Sequence, residues 1–246
     1  MASPLLPYTL HISQWNARSV NSELKTNFIR SLPGDFIAIQ EIWSSINNIS
    51  NAENVLSFVQ RSIKRGGGSA IIHHFQSISP ICRRVILNKD SEAVKVRFGS
   101  YFIWLVNCYL ARGSFTKIQK FFAKLRMEIP MNEWGIICIL GDFNVDALVR
   151  SQESDLFKSL CKQMGLLIKM PLCPTRETAM LDFLVIGASI TLLDNNVYPS
   201  PSDHKAISWH LSILQPLKLK LNKIRVDLLL TISLKPYLET SESRTL

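Results

Sequence analysis

The chain lacks the features that would place it in a membrane, in a secreted class or in a disordered class. It has no run of about 18 or more apolar residues, which excludes a predicted membrane-spanning helix. Its start, MASPLLPYTLHIS, has neither the charged segment nor the long apolar segment of a signal peptide. With 19% charged and 47% hydrophobic residues, the 246-residue chain is typical of a globular protein. We therefore expect an intracellular protein without a membrane partner.

Paired cysteines are also absent, which bears on disulfides and zinc. The five cysteines are odd in number and form no C-x-x-C pair, so the sequence predicts neither a disulfide framework nor a zinc knuckle. Buried free thiols are the expectation that remains. No internal repeat is present either, and no polymerase motif occurs in the chain.

The net charge of +9 is concentrated in the middle of the chain. Residues 61–130 contain 13 lysines and arginines against 3 acids, whereas residues 131–214 contain 6 against 9. A basic segment followed by an acid-rich one suits an enzyme that attracts a polyanion and acts on it with carboxylates. A solvated basic surface is the other interpretation, and charge alone does not separate the two.

Short strands alternate with helices along most of the sequence. Segments such as TLHISQWN and DFIAIQE have the pattern of strands, and NSELKTNFIRSL has the pattern of a helix. Short turns such as NKDSE predict antiparallel neighbours in the middle of the chain. Two strand-rich halves with flanking helices indicate an α/β (α+β) fold with two packed sheets covered by helices. We assign residues 1–214 to this domain and residues 215–246 to a basic, leucine-rich tail or the start of a linker.

Polar residues follow several of the predicted strands at the point where each strand ends. Any one of them has an ordinary explanation: Asp142 and Asn144 could form a turn, Glu41 could cap a helix, and His204 could be a core histidine. The ordered set as a whole points to a site built at one edge of the sheets. Its members are Asn16, Glu41, Tyr109, Asp142, Asn144, Asp182 and the Ser202, Asp203, His204 triplet.

The order of these residues resembles the endonuclease/exonuclease/phosphatase superfamily. The superfamily's asparagine after the first strand, its QE, its strand tyrosine and its GDFN, LDF and SDH motifs occur here in order, from Trp15 to Leu211. The phrases QWNARS, GGGSAI, PTRETAMLDF and SDHKAI are most similar to the apurinic/apyrimidinic-endonuclease-like endonuclease domains of non-LTR (LINE-type) retrotransposons. The resemblance implies a four-layer sandwich like that of deoxyribonuclease I, with two mostly antiparallel sheets flanked by helices.

The resemblance also implies a role for each residue of the set. Glu41 is expected to be the principal ligand of Mg²⁺, for which Mn²⁺ can substitute, and Asp203 is expected to assist it. Asp142 and Asn144 would orient and deprotonate the attacking water, and Asp182 would hold His204 against the phosphate. Tyr109 and Asn16 would complete the hydrogen-bonded shell. The residues expected to contact DNA are Arg18, Arg112, Thr175, Arg176 and Ser202.

The expected function is a metal-dependent DNA endonuclease that nicks double-stranded DNA and leaves a 3′-hydroxyl for target-primed reverse transcription. Arg18 occupies a position where repair enzymes of the superfamily carry an acid, which weakens a role in abasic-site repair. We expect the chain to act in the nucleus as the nicking module of a larger polyprotein that includes a reverse transcriptase. The alternatives are another phosphodiesterase of this fold, acting on abasic DNA, lipid or phosphoinositide headgroups, and an inactive DNA-binding relic.

Overall fold

The structure is a computed structural model that describes residues 7–43, 55–60, 66–74, 83–98 and 101–214. The described elements form two six-stranded sheets with helices outside them. Predictions for Cys82, for the basic residues from Arg61 to Arg65 and for the tail from residue 215 lie outside the described residues.

The first sheet combines strands from the two ends of the described chain. Its strand order is β11-β12-β1-β2-β4-β3, in which β1 and β2 are parallel and every other pair is antiparallel. Its strands are β1 (Tyr8–Asn16), β2 (Phe36–Gln40), β3 (Val55–Val59), β4 (Ser69–His73), β11 (Ile190–Tyr198) and β12 (Ala206–Ile213).

The second sheet comes from the middle of the chain. Its order is β5-β6-β7-β8-β10-β9, and only the β7–β8 pair among these is parallel. Its strands are β5 (Arg83–Asn88), β6 (Ser91–Phe98), β7 (Tyr101–Tyr109), β8 (Ile137–Asp142), β9 (Leu167–Lys169) and β10 (Asp182–Ile186).

Helices cover the outer face of each sheet. Helix α1 (Glu23–Ser31) packs on the first sheet, and α2 (Phe115–Glu128) and α3 (Gln152–Gln163) pack on the second. A 3₁₀-helix, Met131–Ile136, leads into β8. Apolar side chains also fill the space between the two sheets, and they include Leu10 and Trp209 of the first sheet and Leu105 of the second. The molecule therefore has the four layers that the sequence predicts.

The prediction of two mostly antiparallel sheets flanked by helices is confirmed. The sequence missed β3, β9 and the 3₁₀-helix, which are short. Ser22 caps α1 by accepting a hydrogen bond from Lys25 N. The described cysteines are free thiols, as predicted. None of the helices in the described ranges combines the length and the apolar character needed to cross a bilayer.

Candidate active site

Polar side chains of both sheets meet where their strands end. In the first sheet, Asn16 at the end of β1 is level with Gln40 of the parallel strand β2. In the second sheet, Asp142 of β8 lies between two neighbouring strands. It is paired with Tyr109 at the end of β7 on one side and with Asp182 of β10 on the other. Asn16 Nδ2 donates a hydrogen bond to Asp142 Oδ2 at 2.8 Å. The structure thus brings strand ends of the two sheets together at one edge.

The loops that follow β1 and β2 run side by side, and each holds two non-glycine residues with positive φ. Ala17 N donates to Gln40 O at 3.0 Å and Ser19 N donates to Glu41 O at 2.6 Å, so the parallel pairing continues past the strands. The φ angle is 44° at Arg18 and 52° at Glu41. Residues other than glycine seldom adopt this region, and when they do they concentrate at functional sites.

Two glycines allow close backbone approaches around Asp142. Gly141 has a φ of 142°, and a Cβ at this position would collide with the carbonyl oxygen of Cys108 on β7. Gly113 has a φ of 36° and packs in the same way against the carbonyl group of Asn144. The GDFN turn is therefore held against β7 and the loop after it, because neither contact leaves room for a side chain.

Asp142 makes hydrogen bonds with both carboxylate oxygens. Its Oδ2 accepts from Asn16 Nδ2 at 2.8 Å and from Asn144 Nδ2 at 3.1 Å, and its Oδ1 accepts from Asn144 N at 2.8 Å. Burial, followed by the negative charge of Asp182, raises the pKa of Asp142 to about 7. A carboxyl group with this pKa can accept a proton from water near neutral pH.

His204 and Asp182 form a buried pair that joins the two sheets. His204 Nδ1 lies 2.8 Å from Asp182 Oδ2, and His204 Nε2 lies 3.9 Å from Asp142 Oδ2. Burial lowers the pKa of His204, but the hydrogen bond and charge of Asp182, with the charges of Asp142 and Asp203, outweigh burial and raise it. The imidazole is therefore favoured as a cation, with its Nε2 on the side of Asp142.

The hydroxyl groups of Ser202 and Thr175 bond to the backbone beside His204 and Asp182. Ser202 Oγ donates to Asn16 O at 2.8 Å and accepts from His204 N at 3.0 Å. Thr175 Oγ1 accepts from the backbone N–H groups of Leu181 and Asp182, each at 3.2 Å. Thr175 is fully buried, and its hydroxyl fixes the backbone that carries the aspartate. Its contact with DNA stays a prediction.

Glu41 lies near the opening of the site among neutral donors. Its Oε1 accepts from Asn16 Nδ2 at 3.1 Å, and its Oε2 accepts from Trp43 Nε1 at 3.0 Å. Burial, followed by the negative charge of Glu41, raises the pKa of Tyr109, so the phenol stays protonated. In the parts of the chain described above, no lysine or arginine forms an ion pair with Glu41.

The groups around Glu41 fit a hard divalent cation such as Mg²⁺. Such an ion prefers oxygen ligands, and here a partly exposed carboxylate without a cationic partner lies beside Asn16, which also bonds to Asp142. Asp142, Asp182 and His204 also have ligand atoms within 4.8 Å of one another. In that second group, however, His204 Nδ1 bonds to Asp182 and the imidazole is favoured as a cation, which makes it a poor metal ligand.

Asp203 pairs with two arginines at the mouth of the site. Its Oδ2 lies 2.6 Å from Arg18 Nη1 and 3.0 Å from Arg176 Nε. These contacts differ from the metal-ligand role predicted for Asp203, because two guanidinium groups already neutralise the carboxylate. Glu41 is therefore the stronger candidate for holding a metal. Arg112, also predicted to contact DNA, is exposed with a φ of 65° beside Gly113.

Sequence reasoning missed several polar residues that support the site. Trp43 donates to Glu41, and Gln14 Oε1 accepts from Gly141 N at 3.2 Å, which links β1 to β8. Gln40 Nε2 donates to Asn107 Oδ1 at 2.7 Å between the sheets. A signal was present, since Gln14 and Asn107 are amides inside otherwise apolar strands, where burial requires a partner.

The fold and this site can be compared with known proteins. No protein-family model and no curated protein sequence matches the chain. Among solved structures, an endonuclease/exonuclease/phosphatase family protein from Bacteroides thetaiotaomicron matches with a TM-score of 0.63 and 15% identity, covering 85% of this chain and 100% of that one. The chain therefore has the endonuclease/exonuclease/phosphatase fold, which confirms the resemblance predicted from its motifs at the level of fold.

Within this fold, the similar structures differ in activity. The endonuclease domain of TRAS1, a telomere-specific non-LTR retrotransposon, matches with a TM-score of 0.63 and 16% identity, covering 85% of this chain and 100% of that one. The 3′-5′ exonuclease NExo from Neisseria meningitidis has a TM-score of 0.61 and 18% identity, with coverage of 81% and 98%. A mannosyl-6-phosphatase from Bacteroides thetaiotaomicron has a TM-score of 0.60 and 14% identity, with coverage of 82% and 99%.

Proposed function

We propose that the chain is a metal-dependent DNA endonuclease that nicks one strand of double-stranded DNA and leaves a 3′-hydroxyl able to prime reverse transcription. The observation that carries the proposal is the buried Asp182–His204 pair beside Asp142, with the Glu41 carboxylate joined to Asp142 through Asn16. The similarity to the TRAS1 endonuclease domain supports a nucleic-acid substrate. In this proposal the chain acts in the nucleus, joined to a reverse transcriptase in a longer polyprotein.

Glu41 is the residue that would hold Mg²⁺ or, as a substitute, Mn²⁺. When bound, the ion supplies charge neutralisation at the phosphate and stabilisation of the leaving oxyanion. Asn16 bonds to both Glu41 and Asp142, so one amide fixes the spacing between the metal ligand and the group beside it. Trp43 Nε1 donates to the other carboxylate oxygen of Glu41 and keeps the carboxylate oriented.

Asp142 and His204 supply the proton acceptor and the hydrogen-bond donor of the proposed reaction. Asp142, with its raised pKa, accepts the proton of the attacking water, and Asn144 helps to orient that water. His204, held as a cation by Asp182, donates a hydrogen bond from Nε2 to a phosphate oxygen, where negative charge increases in the transition state. Because these groups are fixed before substrate binds, little reorganisation is needed during the reaction.

Arginines at the mouth of the site can receive the DNA backbone. Arg18 and Arg176 share Asp203, and the three side chains are 44%, 36% and 32% exposed. Exposed ion pairs of this kind contribute little free energy, so a phosphate can replace the carboxylate at modest cost. Guanidinium groups bind phosphate through paired N–H donors.

Supercoiled plasmid provides the direct test. With Mg²⁺, the full chain should convert supercoiled plasmid to the nicked circle, and chelation of the metal should stop the conversion. End mapping should find a 3′-hydroxyl and a 5′-phosphate at the nick, because the attacking water enters at phosphorus and the 3′ oxygen leaves. Absence of nicking with both Mg²⁺ and Mn²⁺ would contradict the endonuclease proposal and favour an inactive DNA-binding relic if binding persists.

Salt dependence tests the contribution of the basic segment. Several of its cations are already paired, since Lys95 contacts Glu133 and Lys124 contacts Glu128. The remaining exposed cations include Lys89, Arg112 and Lys120, with Arg18 and Arg176 at the mouth. We expect a plot of log affinity against log salt concentration with a slope of about −3 to −5, as for a few phosphate contacts. A flat plot would instead favour a small substrate.

A phosphomonoesterase is the second candidate function, because the mannosyl-6-phosphatase structure matches this chain about as well as the nucleases do. The basic segment favours nucleic acid over a small sugar phosphate. Release of inorganic phosphate from mannose 6-phosphate, without plasmid nicking, would support this second candidate.

A further inference from the structure

A pocket shares Tyr109 with the candidate active site. It is formed between the β5–β6 turn, the residues that follow β7 and the first half of α2, with a volume of about 140 Å³. Tyr109 lines this pocket, and the negative charge of Glu41 adds to burial in raising the pKa of its phenol. The pocket and the candidate metal ligand are therefore both neighbours of the same side chain.

The inner surface of the pocket is apolar. Leu87, Leu110 and Phe121 line it and are almost fully buried. The edge of Ala111 and the ring of Tyr109 complete this surface. An apolar group placed here would contact these side chains, and stacking against an aromatic ring is a common mode of nucleobase binding.

The rim of the pocket is basic. Lys89 and Lys120 line it and are exposed, and in the described residues neither forms an ion pair. Lys117 also lines the rim and donates to the backbone oxygen of Ala111. An anion at this rim would be attracted both by Lys89 of the β5–β6 turn and by Lys120 of α2.

Asp90 also lines the pocket and is only 3% exposed, and its Oδ1 accepts from Gly68 N at 3.1 Å. The features that select a ligand are therefore the apolar surface and the basic rim. Together they fit a molecule that is apolar at one end and anionic at the other.

We propose that this pocket binds one nucleotide of the DNA strand next to the cleaved bond, with its base among Leu87, Leu110 and Tyr109 and its phosphate at Lys89 and Lys120. The proposal rests on the proposed function and extends it, because a base held here would influence which target is nicked.

The test is a titration of the isotope-labelled full chain without metal, followed by NMR. The probes are the four deoxynucleoside 5′-monophosphates, inorganic phosphate and deoxyadenosine. We expect the nucleotides to shift the amide signals of Leu87, Leu110 and Ala111, and to bind more tightly than phosphate or deoxyadenosine alone. Lys89→Ala and Lys120→Ala should each weaken nucleotide binding about five-fold, as expected for one lost phosphate contact.

Two further variants separate pocket binding from general charge effects. Ala111→Phe fills the pocket and should weaken nucleotide binding about ten-fold by displacing the base. Lys158→Ala removes an exposed lysine of α3 and should leave binding unchanged. If Ala111→Phe does not fold, the surface lysine variants still decide the question, because their side chains are exposed.

The outcomes for the pocket and for the endonuclease are distinguishable. In the nicking reaction, the Lys89→Ala, Lys120→Ala double variant should raise KM for an oligonucleotide duplex while kcat is kept. If the wild-type chain nicks DNA but nucleotides do not shift the pocket signals, the pocket proposal is overturned and the endonuclease stands. If nucleotides bind in the pocket but no DNA is nicked, the endonuclease proposal fails and the pocket stands.

Discussion

His204→Ala and Asp182→Asn should each lower the single-turnover rate of nicking by about three powers of ten. The two side chains are joined by a buried contact of 2.8 Å, and both losses remove the same charged donor from the phosphate. The double variant should therefore be far less impaired than the product of the two single effects, and close to the slower single variant. Single-turnover rates with saturating enzyme measure this non-additivity.

The pH dependence shows whether Asp182 acts through His204. In the wild type, the rate should rise with pH as Asp142, whose pKa is about 7, loses its proton. It should fall at higher pH as His204 loses its proton, since the folded-state pKa of His204 is raised. Because Asp142, Asp182 and His204 interact, the two apparent pKa values of this pH profile belong to the group of three residues and not to single side chains. Asp182→Asn removes a charge that raises the pKa of His204, so the alkaline limb should move to lower pH.

A matched pair outside the site provides the control for this experiment. Asp194 and His210 are level with each other on β11 and β12, so Asp194→Asn and His210→Ala repeat the same changes elsewhere in the fold. Both should leave the nicking rate unchanged. Thermal melts of all variants separate a loss of folded protein from a loss of rate. Additive rate losses at His204 and Asp182 in well-folded proteins would refute their shared role.

Glu41→Gln should reduce nicking by about a thousand-fold or more, while DNA binding is largely kept. The substitution removes the charge that would hold the metal and changes the side-chain volume little. A loss of several kcal/mol of transition-state stabilisation corresponds to a decrease of this size. Plasmid nicking at several Mg²⁺ concentrations, with DNA affinity measured by fluorescence anisotropy, separates the two effects.

Glu23→Gln is the matched control for Glu41, because Glu23 is an exposed glutamate in the first turn of α1. This control should nick at the wild-type rate. Mn²⁺ binding, followed by electron paramagnetic resonance, should weaken in Glu41→Gln and not in the control. Undiminished nicking by Glu41→Gln in Mg²⁺ would remove Glu41 from the metal role.

The layered fold could be predicted because the strands and helices have strong local patterns. Segments such as FIAIQ of β2 and DFLVI of β10 are short and apolar, and each has a polar residue at one end. The pairing of β1 with β12 could not be read from this pattern, because the two strands are almost 200 residues apart and their register depends on tertiary packing. The short strand β9 was missed since three residues carry too little pattern.

The membership of the candidate site followed from the sequence, but its internal contacts did not. Motif order identified Asn16 and Asp142, although the hydrogen bond between them depends on how the sheets stack. Thr175 was predicted to contact DNA, and the sequence does not show that its hydroxyl is buried and bonded to the backbone of Asp182. The metal role predicted for Asp203 did not anticipate its two arginine partners, which come from distant loops.

Each sheet supplies only half of the candidate site. Asn16, Glu41 and His204 adjoin strands of the first sheet, and Asp142 and Asp182 lie on strands of the second. The bonds Asn16–Asp142 and His204–Asp182 form only when the two sheets are stacked in register. A partly folded chain with one intact sheet would therefore lack these contacts, so under the proposed function its nuclease activity would appear only when folding is complete.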